Sequence, residues 1–355
     1  MTRPARVIIN PRAARHNLEW VRRHAPGTRL MAVIKADGYG HGIVRMAQIF
    51  DAADAFAVAA IEEAVTLREA GISKPIVLLE GAFEATELEQ VAALDLEVVV
   101  HNQQQLDMLR GAPRPRVVWL KVDTGMHRLG FEPAQVAAAI ATVRALGIPL
   151  RYMTHFANTH HRGDASVDRQ IDCFETVLGG AAGERSLANS GAVLAYPRAH
   201  GDWVRPGLML YGVSPFDHEL ASELGLQPVM TLRSRLISVR SVRAGEAVGY
   251  GGAFVCPEDM PVGVVAYGYG DGYPRHAQTG TPVLVRGIRT QVIGHISMDM
   301  MTVYLRPVRD ARVADAVTLW GVGLPIEEVA RASGTIPYEL LCRVRMRALY
   351  EVGEP

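Results

Sequence analysis

Short apolar runs alternate with amphipathic stretches along the first part of the chain. The apolar runs have the length and β-branched content of buried strands. They lie at 30–34, 55–59, 76–79, 97–100, 117–122, 150–154, 186–188 and 203–205. The stretches between them carry apolar residues at helical spacing, which predicts helices at 43–50, 62–70, 133–146 and 167–178. Eight strands that alternate with helices favour a closed (β/α)₈ TIM barrel, with an open doubly wound sheet as the alternative.

The pattern changes after residue 226, where strand-like runs follow one another with few helices between them. These runs lie at 232–239, 262–267, 283–285, 291–293 and 301–305, and one helix is predicted at 326–333. We therefore predict an α/β chain of two domains. The first is a (β/α)₈ barrel at 1–226, and the second is a mostly-β C-terminal domain at 227–355.

Charge and cysteine content narrow the class of protein. Lys+Arg and Asp+Glu are equal at 37 each, so the chain lacks the basic excess of a nucleic-acid-binding protein or a polybasic membrane patch. No apolar run has the length of a signal peptide or a membrane span. The three cysteines are far apart and form no CxxC pair, so we expect no disulfide scaffold and no metal site. These features predict a cytoplasmic protein.

One segment, MAVIKADGYGHG at 31–42, carries the first chemical signal. Its apolar run leads directly into Lys35, and Gly38, Gly40 and Gly42 follow at alternate positions. A lysine is almost never buried unless it is paired or chemically employed. At the carboxyl end of a buried strand, beside flexible backbone, Lys35 is placed to form a Schiff base with an aldehyde.

The other strand ends add groups that suit the same chemistry, because barrel enzymes place their active sites at the carboxyl ends of the strands. These groups are Lys121 and Arg128 with strand five, His155 after strand six, Ser190 after strand seven, and Arg205, Gly207 and Leu208 after strand eight. The loops after strands seven and eight are the usual phosphate sites of such barrels. A lysine together with phosphate-binding loops indicates pyridoxal 5′-phosphate as the cofactor.

Eight motifs resemble the alanine racemase family, and they span nearly the whole chain in order. They are MAVIKADGYGHG, KVDTGMHRLG, THFAN, ANSGA, VRPGLMLYG, VGYGG, YGYGDGY and GHISMDM. The resemblance implies an N-terminal (β/α)₈ barrel, a C-terminal β domain, and a homodimer whose active sites lie at the subunit interface. The partners it implies are a small amino-acid substrate and a second subunit, with no nucleic acid and no membrane.

The resemblance also implies roles for residues of the barrel. Lys35 matches the lysine that holds pyridoxal phosphate as an internal aldimine. Arg205 matches the arginine that faces the pyridine nitrogen, and His155 matches the histidine that orients it. The phosphate contacts are matched by Tyr39, Ser190, Gly207 and Leu208.

Further roles concern the substrate and the partner subunit. Tyr250 matches a second catalytic base that the partner delivers, and Tyr269, Met298 and Asp299 match other partner residues beside the substrate. Arg128 matches an arginine that contacts the substrate carboxylate, and Lys121 matches a lysine that is often carbamylated and then pairs with that arginine.

The implied activity is the interconversion of L-alanine and D-alanine. Lys35 and Tyr250 would exchange the Cα proton on opposite faces of a pyridoxal-phosphate external aldimine. The nearest alternative is a racemase of broader specificity that also takes serine. A barrel-type pyridoxal-phosphate decarboxylase is disfavoured by Arg205, and a single-barrel cofactor carrier is disfavoured by the whole β domain. Both directions stay open: D-alanine biosynthesis for the cell-wall peptidoglycan precursor, and degradation through L-alanine.

The chain departs from the family pattern near its C-terminus. The family often carries a tyrosine before Arg-Val-Pro, which contacts the phosphate and narrows the pocket. The corresponding segment here runs from Cys342 to Tyr350 without that motif. Tyr350 is the candidate replacement. The resemblance does not establish how strictly the site selects alanine over other amino acids.

Overall fold

The computed structural model describes residues 3–344 and 347–355 of the chain. Its strands are β1 (Arg6–Ile9), β2 (Arg29–Val33), β3 (Ala55–Val58), β4 (Ile76–Leu78), β5 (Glu97–Val100), β6 (Val117–Lys121), β7 (Leu150–Met153), β8 (Arg185–Ser186), β9 (Trp203–Val204), β10 (Met230–Val242), β11 (Ala247–Val248), β12 (Phe254–Val255), β13 (Met260–Val265), β14 (Pro282–Val285), β15 (Ile288–Ile293), β16 (Met301–Tyr304), β17 (Ala316–Trp320) and β18 (Leu349–Val352).

Its α-helices are Pro11–His24, Ile43–Ile49, Ile61–Glu69, Glu87–Ala93, Gln103–Met108, Pro133–Ala145, Ala165–Leu178, Ser190–Ala195, Ile326–Ala332 and Pro337–Cys342. Single 3₁₀ turns lie at Pro197–Ala199, Leu208–Tyr211, Tyr250–Gly252 and Tyr269–Asp271. Gly179 caps Ala165–Leu178 in the left-handed conformation at φ 53°, which glycine adopts without a steric penalty.

Strands β2 to β9 form a closed parallel barrel, which confirms the predicted (β/α)₈ fold. The ring closes where β9 pairs with β2, with Arg29 opposite Trp203, and this pairing excludes the open-sheet alternative. All eight predicted barrel strands are present. Strands β3 and β6 are buried along their whole length because helices cover one face and the barrel core the other. Such strands read as continuous apolar runs, which is why the sequence reveals them.

The second sheet belongs to the mostly-β part of the chain. Strands β10, β13, β16, β15, β14 and β17 pair in that order, and β17 pairs back onto β10. The thirteen residues of β10 make this closure possible, because different parts of the strand pair with β13 and with β17. The predicted mostly-β second domain is confirmed.

The N-terminal strand corrects the predicted assignment of residues 1–226 to the barrel. Strand β1 pairs antiparallel with β10 and parallel with β18, so it lies in the second sheet. The described residues up to Ala14 form one compact unit with Tyr211–Val213 and the chain from Leu220 onward. The other unit holds Arg15–Leu210 and Ser214–Glu219. The physical reason is apolar burial: Val7 and Ile9 are fully buried in this strand.

No helix of the described part of the chain is long and apolar enough to cross a membrane.

Candidate active site

Lys35 lies at the start of an unusual left-handed turn. It follows β2 by two residues, and the next four residues, Ala36 to Tyr39, all have φ between 51 and 62°. A left-handed helical conformation costs an ordinary L-residue roughly 1–2 kcal/mol, so the surrounding structure must hold it in place. The sequence predicted a tight turn from the three glycines, but only Gly38 of these lies among the four left-handed residues.

Two carboxylates hold this turn. Glu63 accepts a hydrogen bond from the Ala36 amide at 2.6 Å and another from the Ala59 amide at 2.8 Å, so it ties the end of β2 to the end of β3. Asp37 accepts from the amide of Ile43 at 2.7 Å, which connects the turn to the following helix. Sequence reasoning missed Glu63. Its signal was an acidic residue in the first turn of the helix that follows a barrel strand.

Four residues meet around the loop after β9, and we call them the cradle: Tyr39, Ser190, Gly207 and Leu208. Ser190 Oγ accepts from the amides of Gly207 at 3.0 Å and Met209 at 3.4 Å. A Cβ on Gly207 would come within 2.6 Å of the Tyr39 hydroxyl, so only glycine lets that hydroxyl approach the backbone. The structure thus brings the four predicted phosphate contacts together.

Arg205 is buried in the barrel, with 4% of its surface exposed. Its Nη1 donates to Ser186 Oγ at 2.7 Å, and its Nη2 donates to the Thr154 carbonyl at 2.7 Å and to His155 Nδ1 at 3.2 Å. All three acceptors are neutral. Burial lowers the pKa of Arg205 to about 10, so it remains a cation near neutral pH. Sequence reasoning missed Ser186 and Thr154, which hold this guanidinium.

The contact with Arg205 determines the proton position on His155. Burial first, and then Arg205, Lys121, Arg128 and Lys35, hold the pKa of His155 well below its usual value, so the imidazole is neutral. Because the arginine can only donate, Nδ1 accepts and the ring proton lies on Nε2. His155 therefore buttresses Arg205 without adding charge.

Lys121 ends β6 and is 8% exposed. Its pKa falls to about 8, because of burial first and then the charges of Arg205, Arg128 and Lys35; Asp123 opposes the change. Asp123 itself accepts hydrogen bonds from the backbone amides of residues 125, 126 and 127 at 3.0–3.1 Å, which shapes the loop that carries Arg128. With a pKa of about 8, roughly a tenth of Lys121 is a neutral amine at pH 7 and the rest is a cation.

We call Lys35, Lys121, Arg128, His155 and Arg205 the mouth cluster. Of the residues that the structure describes, none places a carboxylate oxygen within 4.0 Å of a side-chain nitrogen of the four cations in this cluster. The whole chain has only three lysines, and two of them lie here. Such a concentration of positive charge suits an anionic ligand.

Three predicted substrate-side residues lie together in the β unit. The amide of Tyr269 donates to the Ser297 carbonyl at 3.0 Å, and the next amide donates to the Met298 carbonyl at 2.8 Å. Asp299 pairs with Arg347 at 2.7 Å. The 269–271 turn and the 297–299 segment therefore form one packed feature.

Asp271, which sequence reasoning missed, anchors that feature. It is fully buried and receives two hydrogen bonds from Arg3, at 2.9 and 2.6 Å. Arg3 also donates to the backbone carbonyl of Asp299 at 2.6 Å. The available signal was the fourth residue of the Gly-Tyr-Gly-Asp run, because an aspartate that caps a tight turn is often structural.

Tyr250 lies in the turn of the β11–β12 hairpin. Its side chain is 72% exposed, and Gly249 and Gly251 flank it with φ of 75° and 69°. Met298 is also exposed, at 55%. Both side chains, each with a large apolar surface, thus face solvent in the single chain.

The structure describes only part of the C-terminal segment that departs from the family pattern. Residues 345 and 346 of the departing segment lie outside the described residues. Tyr350 lies in β18, opposite Val7 of β1, and is partly buried. It is thus a strand residue of the second sheet.

Two sequence models of known domains match almost the whole chain. The alanine racemase N-terminal domain matches residues 9–215, and the alanine racemase C-terminal domain matches residues 229–351. The chain belongs to the alanine racemase family. This confirms the resemblance drawn from the eight motifs.

Individual alanine racemases agree over their full lengths. The chain is 53% identical over 346 residues to that of Nitrosococcus oceani, covering 96% of this chain and 97% of that protein. The biosynthetic alanine racemase from Pseudomonas aeruginosa has the same fold, with a TM-score of 0.97, 44% identity, and coverage of 99% and 100%. That from Bartonella henselae, a structure with covalently bound pyridoxal phosphate, has a TM-score of 0.90 at 28% identity, with coverage of 98% and 99%.

Family membership establishes the activity. The chain is an isomerase that racemises alanine, and alanine racemases as a family use pyridoxal 5′-phosphate. The mouth cluster and the cradle are the parts of this chain whose chemistry must suit that cofactor.

Proposed function

We propose that this chain racemises alanine with pyridoxal 5′-phosphate bound at the mouth of its barrel, between Lys35 and the cradle. The observation that carries the proposal is the charge imbalance of the mouth cluster. Four cations lie there without a paired carboxylate among the described residues, and Arg205 is buried with only neutral acceptors on its guanidinium. Of these cations, Lys121 and Arg205 are buried, and burying their charges is unfavourable unless an anion compensates them.

The residues present fit this cofactor in their chemistry. Lys35 supplies the amine that a phosphate-bearing aldehyde needs. The cradle supplies the Ser190 hydroxyl and the close approach at Gly207 that a phosphate group needs. We assign the aldehyde to Lys35, the phosphate to Tyr39, Ser190, Gly207 and Leu208, and the pyridine nitrogen to Arg205.

Two bases on opposite faces of the substrate would then exchange its Cα proton. When bound, pyridoxal phosphate supplies an electron sink that acidifies the Cα–H bond of the amino acid. The amine of Lys35 takes or returns the proton at one face, and the phenol of Tyr250 does so at the other. Proton transfer by a positioned side chain typically contributes ~10²–10⁴ in rate.

Arg205 keeps the reaction to proton exchange. Its pKa of about 10 leaves it protonated at neutral pH, so it would donate a hydrogen bond to the pyridine nitrogen of the cofactor and would not give up the proton. That limits the electron withdrawal at the nitrogen. We infer that this favours racemisation over transamination and decarboxylation.

Arg128 would bind the substrate carboxylate. Lys121, once carbamylated, would pair with Arg128. A neutral Lys121 amine can add to carbon dioxide, forming an N–C bond and releasing one proton, to give an anionic carbamate. The lowered pKa of about 8 favours the reactive neutral amine. The carbamate would in turn offset the positive charge of Arg128 and Arg205.

We further propose a homodimer in which Tyr250, Tyr269, Met298 and Asp299 serve the partner's site. The exposure of Tyr250 and Met298 within one protomer supports this, because a base must be shielded and positioned to work. We also propose the biosynthetic direction, as described for the Pseudomonas aeruginosa relative.

Coexpression of two inactive variants tests the shared site. Lys35→Ala and Tyr250→Phe each inactivate every site of a homodimer. In a mixed dimer one site carries both changes, and the other draws intact Lys35 and intact Tyr250 from different subunits. Random pairing should therefore restore about a quarter of the wild-type activity. If Tyr250 acts within its own subunit, no site is intact and activity stays at the level of the single variants.

Borohydride reduction tests the cofactor assignment separately. Reduction should fix the cofactor irreversibly to one lysine, and the chain offers only Lys35, Lys74 and Lys121. We expect the peptide that contains Lys35 to gain the mass of the reduced cofactor. A Lys74→Arg variant serves as the control and should be labelled like the wild type, whereas label on Lys74 or Lys121 would contradict the assignment.

A further inference from the structure

A group of potential metal ligands lies outside the residues assigned above. His160, His161 and Asp217 each offer one ligand atom, and these atoms all lie within 4.8 Å of one another. We propose that these three side chains bind a divalent transition-metal ion of the zinc class. The inference does not depend on the proposed catalytic roles.

The geometry brings the two neighbouring imidazoles to the same side. Their ring centroids are 4.1 Å apart, because the chain turns sharply at this point instead of extending as a strand would. His160 Nε2 lies 4.0 Å from Asp217 Oδ2. Ligand atoms in a tetrahedral zinc site are about 3.3 Å apart, given bonds of about 2.0–2.1 Å, so small side-chain rotations are enough.

The chemistry of the ligand set selects the ion. Two imidazoles and one carboxylate suit zinc, cobalt, nickel and copper, whereas calcium and magnesium prefer oxygen ligands. Three protein ligands leave a coordination position for water or another small ligand. The side chains are half exposed, at 40% for His160 and 52% for Asp217, so an ion can reach them from solvent.

The two segments that carry the ligands are already held together. Arg162 makes two hydrogen bonds to Glu219, at 2.6 and 3.0 Å, and its guanidinium lies 3.9 Å from the centroid of the Phe216 ring. This pair joins the 160–162 turn to the 216–219 segment beside the ligands. It also compensates the nearest arginine charge, so that charge repels an incoming cation less.

The turn is further connected to the cradle. The Tyr196 hydroxyl donates to the His161 carbonyl at 3.0 Å and accepts from the Asp164 amide at 2.8 Å. The Thr159 carbonyl lies so close to Gly191 that a Cβ there would come within 2.5 Å of it. Gly191 follows Ser190 in the same short helix. A bound ion would therefore restrain a loop that packs against the helix of the cradle.

The expectation of no metal site rested on the spacing of the cysteines, which says nothing about histidines. The adjacent pair His160-His161 is visible in the sequence, but Asp217 is brought to it only by the fold. The ion we propose has a structural role at the loop.

Calorimetric titration of the cofactor-loaded, untagged protein with Zn²⁺ tests the proposal. We expect one ion per chain, with His160→Ala and His161→Ala each weakening binding by at least about tenfold, and Asp217→Asn weakening it severalfold. His218→Ala is the matched control, because this histidine lies next to Asp217 but outside the cluster. It should bind as the wild type does.

Two results would overturn the site. One is the absence of binding to the wild type up to about 1 mM Zn²⁺, which corresponds to roughly 4 kcal/mol. The other is binding that survives in the His160→Ala and His161→Ala variants, since the ion would then lie elsewhere, for example at a cysteine. Metal-free racemase activity and circular dichroism of each variant check that it is folded, because none of these residues belongs to the proposed catalytic machinery.

Discussion

The two ends of the barrel differ in whether their cations are paired with carboxylates. Where the strands begin, Arg151 lies 2.9 Å from Glu97 and 2.7 Å from Glu184, and Arg29 also pairs with Glu184. Trp119 donates to Glu97 at 2.7 Å. Where the strands end, the cations of the mouth cluster have no such carboxylates among residues 3–344 and 347–355.

This difference separates stability from function within one fold. A paired and hydrogen-bonded buried charge holds the strands together, and removing one partner leaves the other charge uncompensated. At the other end, burial and then the neighbouring cations lower the pKa of Lys121 and His155, and the uncompensated charge attracts anions. Perturbed groups of this kind cluster at functional sites. Four substitutions, taken from the largest expected effect to the smallest, test this contrast.

Lys35→Ala should have the largest effect and should act on catalysis alone. Removing the amine eliminates both the proposed attachment point and one of the two proposed bases, so racemase activity should fall by at least ~10⁴-fold. Lys74→Ala, which removes the charge of another lysine, is the control. D-alanine turnover is measured in both variants. Retention of a tenth of the activity would show that Lys35 is not the attachment point. The melting temperature of the cofactor-free protein should hardly change.

Glu97→Ala should act on stability alone. The carboxylate is 2% exposed and serves Arg151 and Trp119, so its loss should lower the free energy of unfolding by about 3 kcal/mol. Urea unfolding measures the change, with the exposed Glu62→Ala as the matched control. Racemase activity of the folded variant should match the wild type. A large loss of activity without destabilisation would show that Glu97 serves catalysis and not stability, which contradicts the proposed contrast between the two ends of the barrel.

Lys121→Met should raise the stability of cofactor-free protein in carbon-dioxide-free buffer. The folded-state pKa of about 8 lies below the usual 10.5, so the folded state binds fewer protons than the unfolded state between these values. Stability of the wild type should therefore rise with pH from about 8 to about 10.5, by a few kcal/mol at most. Below that window the buried ammonium destabilises the fold in full.

The methionine variant lacks this charge, so its unfolding free energy should rise less than that of the wild type across the same window and should exceed it near pH 7. Lys74→Met, at a half-exposed lysine, should behave like the wild type. A wild-type profile that is flat from pH 8 to 10.5 would mean that the Lys121 amine is not perturbed by its surroundings.

Ser186→Ala should have the smallest effect. It removes the hydroxyl that accepts from Arg205 Nη1 at 2.7 Å, while the Ser186 carbonyl still accepts at 3.2 Å. A net loss of about 1 kcal/mol corresponds to roughly a fivefold fall in kcat. Ser186→Thr keeps a hydroxyl and should recover most of the rate. An unchanged kcat in the alanine variant would show that this contact does not position Arg205 for catalysis.

Prediction from the sequence worked best for elements buried on both faces. All eight barrel strands were predicted, because strands such as β5 and β6 carry continuous runs of buried residues. Strands β1 and β18 were missed because each is short and finds its partner at the opposite end of the chain. Their pairing is a long-range event that local periodicity cannot show.

The residue types of the candidate site were also readable, but their environments were not. Lys35, Arg205 and Ser190 stood out because they follow predicted strands. The supporting residues Glu63 and Ser186 carried no distinctive motif. Their importance arises from hydrogen bonds to groups far along the chain.

The sequence by itself determined the barrel, the β-rich second part, the family and the identity of the cationic groups, because periodicity and motifs are local properties. Only the tertiary structure decided the left-handed turn after Lys35, the neutral state of His155, the lowered pKa of Lys121 and the meeting of Asp217 with His160 and His161. Each of these depends on burial and on charges that folding brings together. Those quantities belong to the folded chain as a whole.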